Sequence, residues 1–433
     1  MRTLVLGSGG RESALAWALE RSPSVTELIS APGNPGMERL GATAEVIVDD
    51  PGGVVALTEH IAPDLVVVGP EAPLVAGVAD VLRQKGYVVF GPDAAAAQIE
   101  GSKSHAKALM TAAGIPTARA QACTDPQSAY AALDEFGAPF VIKADGLAAG
   151  KGVVVTEDRV EAERAVDAAL VQGRFGAAGN RVLVEEFLDG QEASLIAFCD
   201  GRTVLCCEPA QDYKRVFDED AGPNTGGMGS YSPVPACPPD LAELIAKEVL
   251  EPMAAVTAER GAPFVGALYA GLALTSTGPR VIEFNARFGD PETQALLPRC
   301  DFDLGEVCLA AATGSLEGAA LRWSESACVA VVLASGGYPG RHETGMEIEG
   351  IDAAEALQDV QVFQAGTARR NGSLVTAGGR VLAVSALGDG FAEARRRAYD
   401  AAGLIDFEGK HLRTDIARRA EAVEDPRTRK EEG

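Results

Sequence analysis

A stretch rich in glycine and lysine, between two short apolar runs, has the composition of an anion-binding loop. The runs Phe140–Ile142 and Val153–Val155 contain β-branched residues and predict two strands. Between them, lysines can neutralise negative charge, and glycines let backbone N–H groups approach an anion closely. These residues are Lys143, Gly146, Gly150, Lys151 and Gly152. The pattern predicts a flap that closes over nucleotide phosphates, with a flexible surface hairpin as the alternative.

The spacing within this stretch differs from that of a P-loop. A P-loop has four residues between its glycines, then Lys followed by Ser or Thr, and then a helix. Here three residues separate Gly146 from Gly150, and Gly152 follows Lys151. Because the chain then continues as a predicted strand, we expect a strand–loop–strand hairpin rather than a loop that leads into a helix.

A second stretch, 281–292, alternates polar and apolar side chains. If it begins as a strand, Glu283, Asn285 and Arg287 share one face. The residues of the other face are Phe284, Ala286 and Phe288. Oxygen ligands without histidine or cysteine suit Mg²⁺, which takes few protein ligands and completes its shell with phosphate and water. The alternative is a solvated strand face with an ion pair, but the phosphate-type hairpin elsewhere in the chain favours a metal.

The first 100 residues alternate predicted strands and helices. Strands are predicted over 3–6, 28–30, 64–68 and 87–90, and helices over 13–20 and 75–85. Such βαβ repetition indicates a parallel sheet with helices on both faces. Ligands in this architecture bind at the carboxyl ends of the strands, where the loops 7–12 and 69–73 would lie.

The loop 7–12 resembles part of a dinucleotide-binding fingerprint, but two features oppose that interpretation. Glu12 replaces the third glycine of the fingerprint, and no acidic residue ends the second strand to hold a ribose. A phosphate at the helix N-terminus, with Arg11 as its charged partner, is the binding interpretation that remains. A tight turn that needs glycine is the alternative.

The rest of the chain mixes helices, hairpins and short strands. Helices are predicted within 101–120 and over 161–171 and 241–258, strands over 181–184, 268–275 and 280–285, and a hairpin turn at Asp200-Gly201. The glycine-rich loop 222–230 is expected to be mobile over a site. Beyond residue 323 the predicted elements are strands over 327–334, 360–364 and 380–386 and a helix over 392–402, and the charged tail after Ala420 is expected to fray.

These elements predict a multidomain protein of the α/β and α+β classes. Residues 1–100 would form an α/β domain, 101–320 a central domain, 321–420 a small β-rich domain and 421–433 a charged tail. A chain of 433 residues is long enough for several hydrophobic cores.

Composition excludes several classes of function. The net charge of −24 argues against generic binding to nucleic acid or to anionic membranes. The eight cysteines show no CxxC spacing, and the chain has no signal peptide and no apolar run of membrane length. We therefore expect reduced thiols in a cytoplasmic protein. The four histidines lie far apart in sequence, which gives little support to imidazole-based catalysis.

A series of long motifs, in order along nearly the whole chain, resembles one enzyme family. The motifs are GGRE (9–12), GPEAPL (69–74), GSK (101–103), IKADGLAAGKG (142–152), EEFLDGQEAS (185–194), QDYKR (211–215), PNTGGMGSYSP (223–233), EFNARFGDPE (283–292) and AGGRVLAVSALG (377–388). Together they resemble the phosphoribosylamine–glycine ligases, the glycinamide ribonucleotide synthetases of purine synthesis. That family belongs to the ATP-grasp enzymes.

The resemblance implies a fold and a reaction. The central domain would be an ATP-grasp fold whose flexible lid spans about 121–190. The glycine carboxylate would attack the γ-phosphate of ATP to give glycyl phosphate and ADP. The amine of 5-phosphoribosylamine would then displace phosphate and form an amide. Phosphoryl transfer depends mainly on positioning and charge neutralisation, so a site without an obvious nucleophile is expected.

The resemblance also implies roles for residues of the motifs. ATP would be bound by Lys103, Lys143, Gly150, Lys151, Gly152, Glu185, Glu186, Phe187, Leu188 and Glu192. Phosphoribosylamine would be bound by Gly9, Gly10, Arg11, Glu12 and Glu71. Glu283 and Asn285 would bind Mg²⁺ or Mn²⁺. The catalytic residues nearest glycine and the transferring phosphate would be Asp212, Lys214, Arg215 and Arg287.

The chain departs from the commoner family pattern at three positions. Ser8 stands where asparagine is common, and Ser13 and Tyr213 stand where histidine is common. These positions fall on the phosphoribosylamine loop and on the glycine side of the site. The expected partners are the small molecules ATP, glycine and 5-phosphoribosylamine, and neither nucleic acid nor a membrane is expected. The protein is expected to be a monomer, with a dimer as the alternative. No further domain of purine synthesis is expected after the β-rich domain.

Three other functions have some support from the sequence. An ATP-grasp carboxylase or a formate-using transformylase would share the hairpin and the metal strand. A dinucleotide-dependent oxidoreductase would use the glycines of the loop 7–10. A non-catalytic nucleotide-binding module would not need the polar face formed by Glu283, Asn285 and Arg287.

Overall fold

The structure, a computed structural model, describes residues 1–148 and 152–424. Its first sheet is parallel, with strand order β3-β2-β1-β4-β5. The strands are β1 (Arg2–Gly7), β2 (Glu27–Pro32), β3 (Ala42–Thr43), β4 (Leu65–Val68) and β5 (Val89–Phe90). The helices are α1 (Gly10–Glu20), α2 (Pro51–Ile61), α3 (Glu71–Val75) and α4 (Val78–Gln84). Leu4 and Leu6 lie in one core cluster and Val5 lies in another, so both faces of the sheet are buried, as predicted.

Helix boundaries in this region differ from the prediction. Helix α1 begins at Gly10, three residues before the predicted start. The predicted helix over 75–85 is shorter and corresponds to α4, while α3 occupies residues predicted to form a loop. The two helices are separate because Gly77 between them has a φ of +83° and cannot continue a helix. Helix α2 and strand β3 have no counterpart among the predicted elements.

The next region forms a small antiparallel sheet with its own core, which we call the lid sheet. Two helices precede it, α5 (Ala94–Gly101) and α6 (Lys103–Ala113). The elements of the lid are β6 (Ala120–Cys123), α7 (Pro126–Phe136), β7 (Phe140–Ala144), β8 (Val153–Thr156), α8 (Arg159–Leu170) and β9 (Val182–Glu185). Strands β7 and β8 pair from Phe140–Thr156 to Lys143–Val153, which confirms the predicted hairpin strands. Residues 149–151, which lie between these strands in the sequence, are outside the described residues.

The central region contributes eight further strands. These are β10 (Gln191–Asp200), β11 (Val204–Cys206), β12 (Gln211–Asp212), β13 (Arg215–Phe217), β14 (Ala221–Asn224), β15 (Gly229–Ser232), β16 (Val265–Thr275) and β17 (Gly278–Asn285). Its helices are α9 (Pro239–Ile245), α10 (Glu251–Glu259), α11 (Glu292–Leu296) and α12 (Leu304–Thr313), with a π-helical segment, Ala246–Leu250, joining α9 to α10. Strands β11, β10, β16 and β17 form an antiparallel sheet in that order, which we call the central sheet.

The last region completes a sheet that begins in the central region. Its elements are β18 (Ala327–Ala334), α13 (Ile351–Glu355), β19 (Val360–Gln364), β20 (Thr367–Arg370), β21 (Ser373–Thr376), β22 (Arg380–Gly388), α14 (Phe391–Leu404) and α15 (Arg418–Glu424). The sheet order is β12-β15-β18-β22-β19, so two central strands pair with three C-terminal strands. We call it the shared sheet.

Two expectations need correction. The glycine-rich loop 222–230 is shorter than predicted, since β14 extends to Asn224 and β15 starts at Gly229. The first residues of the predicted frayed tail are helical, because α15 continues to Glu424, whose carboxylate accepts the N–H of Phe391 at 2.6 Å. Residues 425–433 lie outside the described residues.

Two general features agree with composition. All eight cysteines are free thiols, and most of them are buried. Among residues 1–148 and 152–424, no helix has both the length and the apolarity needed to cross a membrane.

Candidate active site

A cavity of about 830 Å³, which we call the central cavity, is lined by residues of the lid sheet, the central sheet and the loops of the first sheet. Most of the predicted site residues meet here. They are Arg11, Glu71, Lys103, Lys143, Gly152, Glu185, Glu186, Phe187, Leu188, Glu192, Asp212, Lys214, Arg215, Glu283, Asn285 and Arg287. Gly9, Gly10 and Glu12 do not line it, and Gly150 and Lys151 lie outside the described residues.

The end of β17 presents its polar residues to the central cavity. Glu283 and Asn285 line the cavity, while Phe284 between them borders it but is only 2% exposed and packs in the main core. The strand ends at Asn285, but the alternation continues, since Ala286 is buried and Arg287 again lines the cavity. The predicted division into a polar and an apolar face is confirmed.

The carboxylate of Glu283 faces an electropositive part of the cavity. Burial acts to raise the pKa of Glu283, but the charges of Lys214, Lys143 and Lys103 outweigh it and lower the pKa below its usual value. Within residues 1–148 and 152–424, no hydrogen bond or ion pair to this carboxylate is formed. An ionised, unpaired carboxylate is therefore directed at the space between three lysines.

Arg287 is held between two carboxylates. Its Nη2 lies 2.7 Å from Oε1 of Glu100, and its Nε lies 3.3 Å from Oε2 of Glu71. Arg11 is also 3.7 Å from Glu71. Burial acts to raise the pKa of Glu71, but Arg287 and Arg11 outweigh it and lower the pKa to about 2. Burial raises the pKa of Glu100, an effect that Arg287 opposes. Glu71 is therefore charged at neutral pH, and the geometry of the cluster is set by its contacts with Arg287 and Arg11.

The two lysines predicted to bind phosphate come from different elements. Lys143 on β7 lies 2.9 Å from Oε2 of Glu185 and donates to the carbonyl of Ile282 at 3.0 Å. Lys103 at the start of α6 donates to the carbonyl of Gly146 at 3.3 Å. Burial lowers the pKa of Lys103, an effect that Glu283 opposes. Both ammonium groups therefore lie at the junction of the lid and the body, next to the end of β17.

Asp145 connects the lid to the helix that carries Lys103. Its Oδ1 accepts the N–H of Ser104 at 2.7 Å, and its backbone carbonyl accepts the N–H of Lys103 at 3.0 Å. The Ser104 hydroxyl also donates to its Oδ2 at 2.8 Å. A carboxylate on free N–H groups at a helix start is stabilising, so this contact fixes the N-terminus of α6 against the lid.

The segment 185–188 begins at the last residue of β9. The carboxylates of its two glutamates form ion pairs with basic side chains of the protein. Glu185 pairs with Lys143 and, at 3.4 Å, with Lys107. Glu186 pairs with Arg119 at 2.9 Å and with Arg280 at 2.7 Å. With both carboxylates occupied, the backbone of this segment is what remains to meet a ligand in the cavity. Phe187, which is 45% exposed, adds apolar surface beside it.

A second charged group lies on the opposite side of Glu283. The Nζ of Lys214 donates to both oxygens of Asp212, at 2.9 and 2.8 Å, and lies 3.5 Å from Glu192. Arg215 instead directs its guanidinium to the carbonyl of Gly222 at 2.7 Å, which closes the β13–β14 hairpin. Asp212 and Lys214 therefore form a compact pair, whereas Arg215 supports the loop beside it.

The loop of Gly9, Gly10 and Glu12 lies behind the cavity wall. Glu12, 2% exposed, accepts the N–H of Gly9 at 2.7 Å and pairs with Arg11 at 2.6 Å. A Cβ at Gly10 would lie 2.6 Å from the side-chain amide nitrogen of Gln294, so only glycine fits without movement. These residues shape the loop that positions Arg11, and their direct contact with a substrate stays a prediction.

Two of the three departures from the family pattern make side-chain contacts with the C-terminal region. Ser13 donates its hydroxyl to the carbonyl of Gln364 at 2.5 Å, and the hydroxyl of Tyr213 accepts the N–H of Ala417 at 2.9 Å. Asn34 donates to the Ser13 hydroxyl and to the backbone carbonyl of Ser8, each at 2.8 Å. Ser13 and Tyr213 therefore contribute to packing against the C-terminal region, whereas nothing in the structure explains the side chain of Ser8.

Sequence reasoning missed several charged residues that line the central cavity, among them Glu100, Asp290 and Arg380. Arg380 lies 3.1 Å from Asp290 Oδ2 and donates to the carbonyl of Gly226 at 2.5 Å. Glu100 belongs with Arg287, as described above. The family motifs could have identified these residues. Asp290 lies in EFNARFGDPE (283–292), Arg380 lies in AGGRVLAVSALG (377–388), and Glu100 directly precedes GSK (101–103).

The donor set fits a divalent cation that binds together with a nucleotide. Within the described ranges, no three His, Cys, Asp or Glu side chains are grouped to hold a metal by themselves. Glu283 offers an ionised, unpaired carboxylate, and Asn285 offers an amide oxygen beside it. Mg²⁺ commonly takes one or two protein ligands together with substrate phosphates, so these two residues are sufficient.

The lid sheet and the central sheet, enclosing a cavity lined by lysines and acidic residues, define an ATP-grasp protein. The biotin carboxylase of Campylobacter jejuni has the same overall fold, with a TM-score of 0.72 at 14% identity, covering 99% of this chain and 96% of that one. At this identity the likeness concerns the fold alone.

The family follows from three matches along the chain. The N domain, the ATP-grasp (A) domain and the C domain of phosphoribosylglycinamide synthetase match residues 1–100, 101–293 and 328–419. A phosphoribosylamine–glycine ligase of Streptomyces coelicolor is 52% identical over 423 residues, 97% of this chain and 99% of that protein. The crystal structure of the ligase from Thermotoga maritima has a TM-score of 0.83 at 34% identity, covering 96% of this chain and all of that one. The chain belongs to the phosphoribosylglycinamide synthetase family.

Proposed function

We propose that the central cavity catalyses the ATP-dependent ligation of glycine to 5-phosphoribosylamine in purine synthesis. The products are glycinamide ribonucleotide, ADP and phosphate. The observation that carries this proposal is the meeting, in one cavity, of Lys103, Lys143, Glu283 and Asn285, which come from distant motifs of a family that matches the chain over its whole length.

The first step makes one P–O bond and breaks another. A carboxylate oxygen of glycine attacks the γ-phosphorus of ATP, ADP leaves, and glycyl phosphate forms. Lys103 and Lys143 neutralise the phosphate oxygens, and Arg287 holds the transferring group. Mg²⁺ or Mn²⁺ bound by Glu283 and Asn285 would offset further negative charge on the phosphates. Glu192 and the backbone of 185–188 would hold the ribose and the adenine.

The second step makes the amide. The amine of 5-phosphoribosylamine attacks the carbonyl carbon of glycyl phosphate, inorganic phosphate leaves with the bonding electrons, and the amine loses a proton. Asp212 and Lys214 lie beside Glu283, where the glycyl group would be formed. Arg11 and Glu71 would receive the ribosyl substrate from the loops of the first sheet. Three further statements stay predictions: the domain boundaries at residues 100, 320 and 420, the monomeric state, and the location of the protein in the cytoplasm.

The test is ADP release, measured with ATP, Mg²⁺ and 5-phosphoribosylamine, with and without glycine. We expect release only when both acceptor substrates are present, and no release when bicarbonate or formate replaces glycine. Turnover with bicarbonate would favour a carboxylase, and turnover with formate a transformylase. ATP binding without any turnover would reduce the chain to a nucleotide-binding module.

A further inference from the structure

Glu100 is a buried carboxylate that none of the roles above uses. It lies in the last turn of α5, is 8% exposed and lines the central cavity. Gly101 and Ser102 separate it from α6, which begins with Lys103. Glu100 is therefore close in sequence to one predicted phosphate ligand and close in space to the end of the metal strand.

Its two oxygens hold three consecutive residues, the last residue of β17 and the two that follow it. Oε2 accepts the N–H of Ala286 at 2.8 Å, and Oε1 lies 2.7 Å from Nη2 of Arg287. In the amide orientation that satisfies both polar atoms of Asn285, its nitrogen donates to Oε1 of Glu100 and to the carbonyl of Phe284, each at 3.2 Å. One side chain thus sets the backbone and two side chains of the segment that leaves the strand.

The chemistry of an amide gives the contact with Asn285 a direct consequence. Only the oxygen of a carboxamide can bind a cation, since the nitrogen is a donor of two hydrogens. When Glu100 and Phe284 engage the nitrogen, the oxygen is the amide atom left to face a ligand. The same carboxylate restrains Arg287 from one end, while Glu71 restrains it from the other.

We propose, on the basis of the proposed function, that Glu100 is a positioning residue of the phosphoryl-transfer centre: its carboxylate turns the oxygen of Asn285 towards the cation and fixes the guanidinium of Arg287. It acts through these residues and does not itself touch the substrate. Groups that orient metal ligands in this way commonly change metal affinity by about 10–100-fold when they are replaced.

The test compares Glu100→Gln with a matched acid-to-amide variant outside the cavity, Asp303→Asn. Asp303 also holds donors from its own and another segment, the N–H groups of Glu306 at 3.0 Å and Ser24 at 2.8 Å. In Glu100→Gln the amide nitrogen must face a donor, either the Ala286 N–H or the groups of Asn285 and Arg287, so at least one contact is lost. The contacts that remain are weakened as well, because the substitution removes the negative charge that strengthens them. Mn²⁺ affinity is measured by electron paramagnetic resonance with a non-hydrolysable ATP analogue present, and thermal unfolding is measured alongside.

We expect the Mn²⁺ dissociation constant to rise about 10–100-fold in Glu100→Gln and to stay unchanged in Asp303→Asn, even if both variants lose similar thermal stability. In the Asn285→Ala background, Glu100→Gln should weaken Mn²⁺ binding no further, because its effect on the metal passes through that amide. Unchanged Mn²⁺ affinity in folded Glu100→Gln, or full additivity with Asn285→Ala, would overturn the proposal.

If Glu100→Gln does not fold, Glu100→Asp replaces it under the same criteria. This variant keeps the charge but is one methylene too short to reach all three donors. The Mn²⁺ titration also tests the role of Glu100 independently of the proposed function. Wild-type ADP release without a glycine requirement would refute the reaction, whereas the Mn²⁺ titration would still report on Glu100.

Discussion

The end of β17 and the β7–β8 hairpin are two walls of the same cavity, but different contacts hold them. The β17 wall is part of the main core through Val281, Phe284 and Ala286, and its polar face is tied by partly buried ion pairs to Glu100 and Glu71. The hairpin belongs to a small separate core of the lid, and its links to the body are a few polar contacts such as that of Lys143 with Ile282.

This difference matches two demands of phosphoryl transfer. Groups that stabilise developing charge act best when they are already in place before reaction, which suits a strand anchored in the core. A group that covers the nucleotide must also let products leave, which suits an element with its own core and few ties to the body. The predictions below test whether the two walls differ in this way.

The largest expected effect is on the apolar side of the β17 wall. Phe284→Ala should lower the free energy of unfolding by ~3–5 kcal/mol, because a buried aromatic ring is replaced by a cavity. Urea unfolding measures this value. The neighbouring substitution Glu283→Gln, on the opposite face, should cost much less, because it leaves no cavity in the core and its carboxylate has no hydrogen-bond or ion-pair partner among the described residues. Equal losses for the two variants would show that the faces are not divided as described.

The next effect is on the polar side of the same wall. Glu283→Gln keeps the size of the side chain but removes the charge that would hold the cation against the triphosphate. ADP release should slow by ~10²–10³, roughly 3–4 kcal/mol of transition-state stabilisation, and should need more Mg²⁺. Glu306→Gln, outside the cavity, serves as control. If Glu283→Gln released ADP as fast as wild type at limiting Mg²⁺, Glu283 would not be a ligand of the metal.

A pH-dependent effect follows from the ion pairs that fix this wall. The pKa of Glu71 is lowered from 4.5 to about 2, so its contribution to stability is complete above pH 4.5 and is lost as the pH falls towards 2. The contribution is on the order of 3 kcal/mol. Wild type should therefore exceed Glu71→Gln in unfolding free energy at pH 7 by more than at pH 3. A difference that does not vary with pH would contradict the shift.

A smaller effect is expected in the lid. Lys151→Ala should weaken ATP binding or slow turnover roughly tenfold, through loss of one charged contact with phosphate. Val154→Ala, on β8, should mainly cost stability, about 1 kcal/mol. Isothermal titration with ATP and urea unfolding separate the two outcomes. If Lys151→Ala binds ATP and turns over like wild type, the hairpin is not a phosphate ligand.

The smallest expected effect is a change in the rate of amide hydrogen exchange in the β7–β8 hairpin, rather than a change in ligand affinity. Without nucleotide, amide hydrogens of the hairpin 140–155 should exchange faster than those of β17, and Mg-ATP should protect the hairpin. Hydrogen–deuterium exchange with mass spectrometry resolves both segments. Equal protection of the hairpin with and without nucleotide would remove the closing lid and, with it, the contrast between the walls.

Local pattern was enough to predict much of the fold and part of the site. Alternation along 281–288 identified the polar face of β17, and β-branched runs located the hairpin strands, because both signals lie within a few residues. The contact of Glu100 with Ala286 spans 186 residues and leaves no periodic trace in the sequence. Likewise, the separation of α3 from α4 depends on the positive φ angle of Gly77. The spacing of apolar residues, from which the helix was predicted, carries no information about that angle.

The shared sheet has a consequence for the order in which a ribosome-bound chain can fold. Strand β15 pairs with β18, and β18 pairs with β22, which ends at Gly388. Until β18 has been synthesised, the free edge of β15, the strand that pairs with Asp212, has no partner, and an unpaired edge can pair with another chain. The nascent protein therefore carries an exposed strand edge next to Asp212 from the synthesis of Ser232 until that of Ala334.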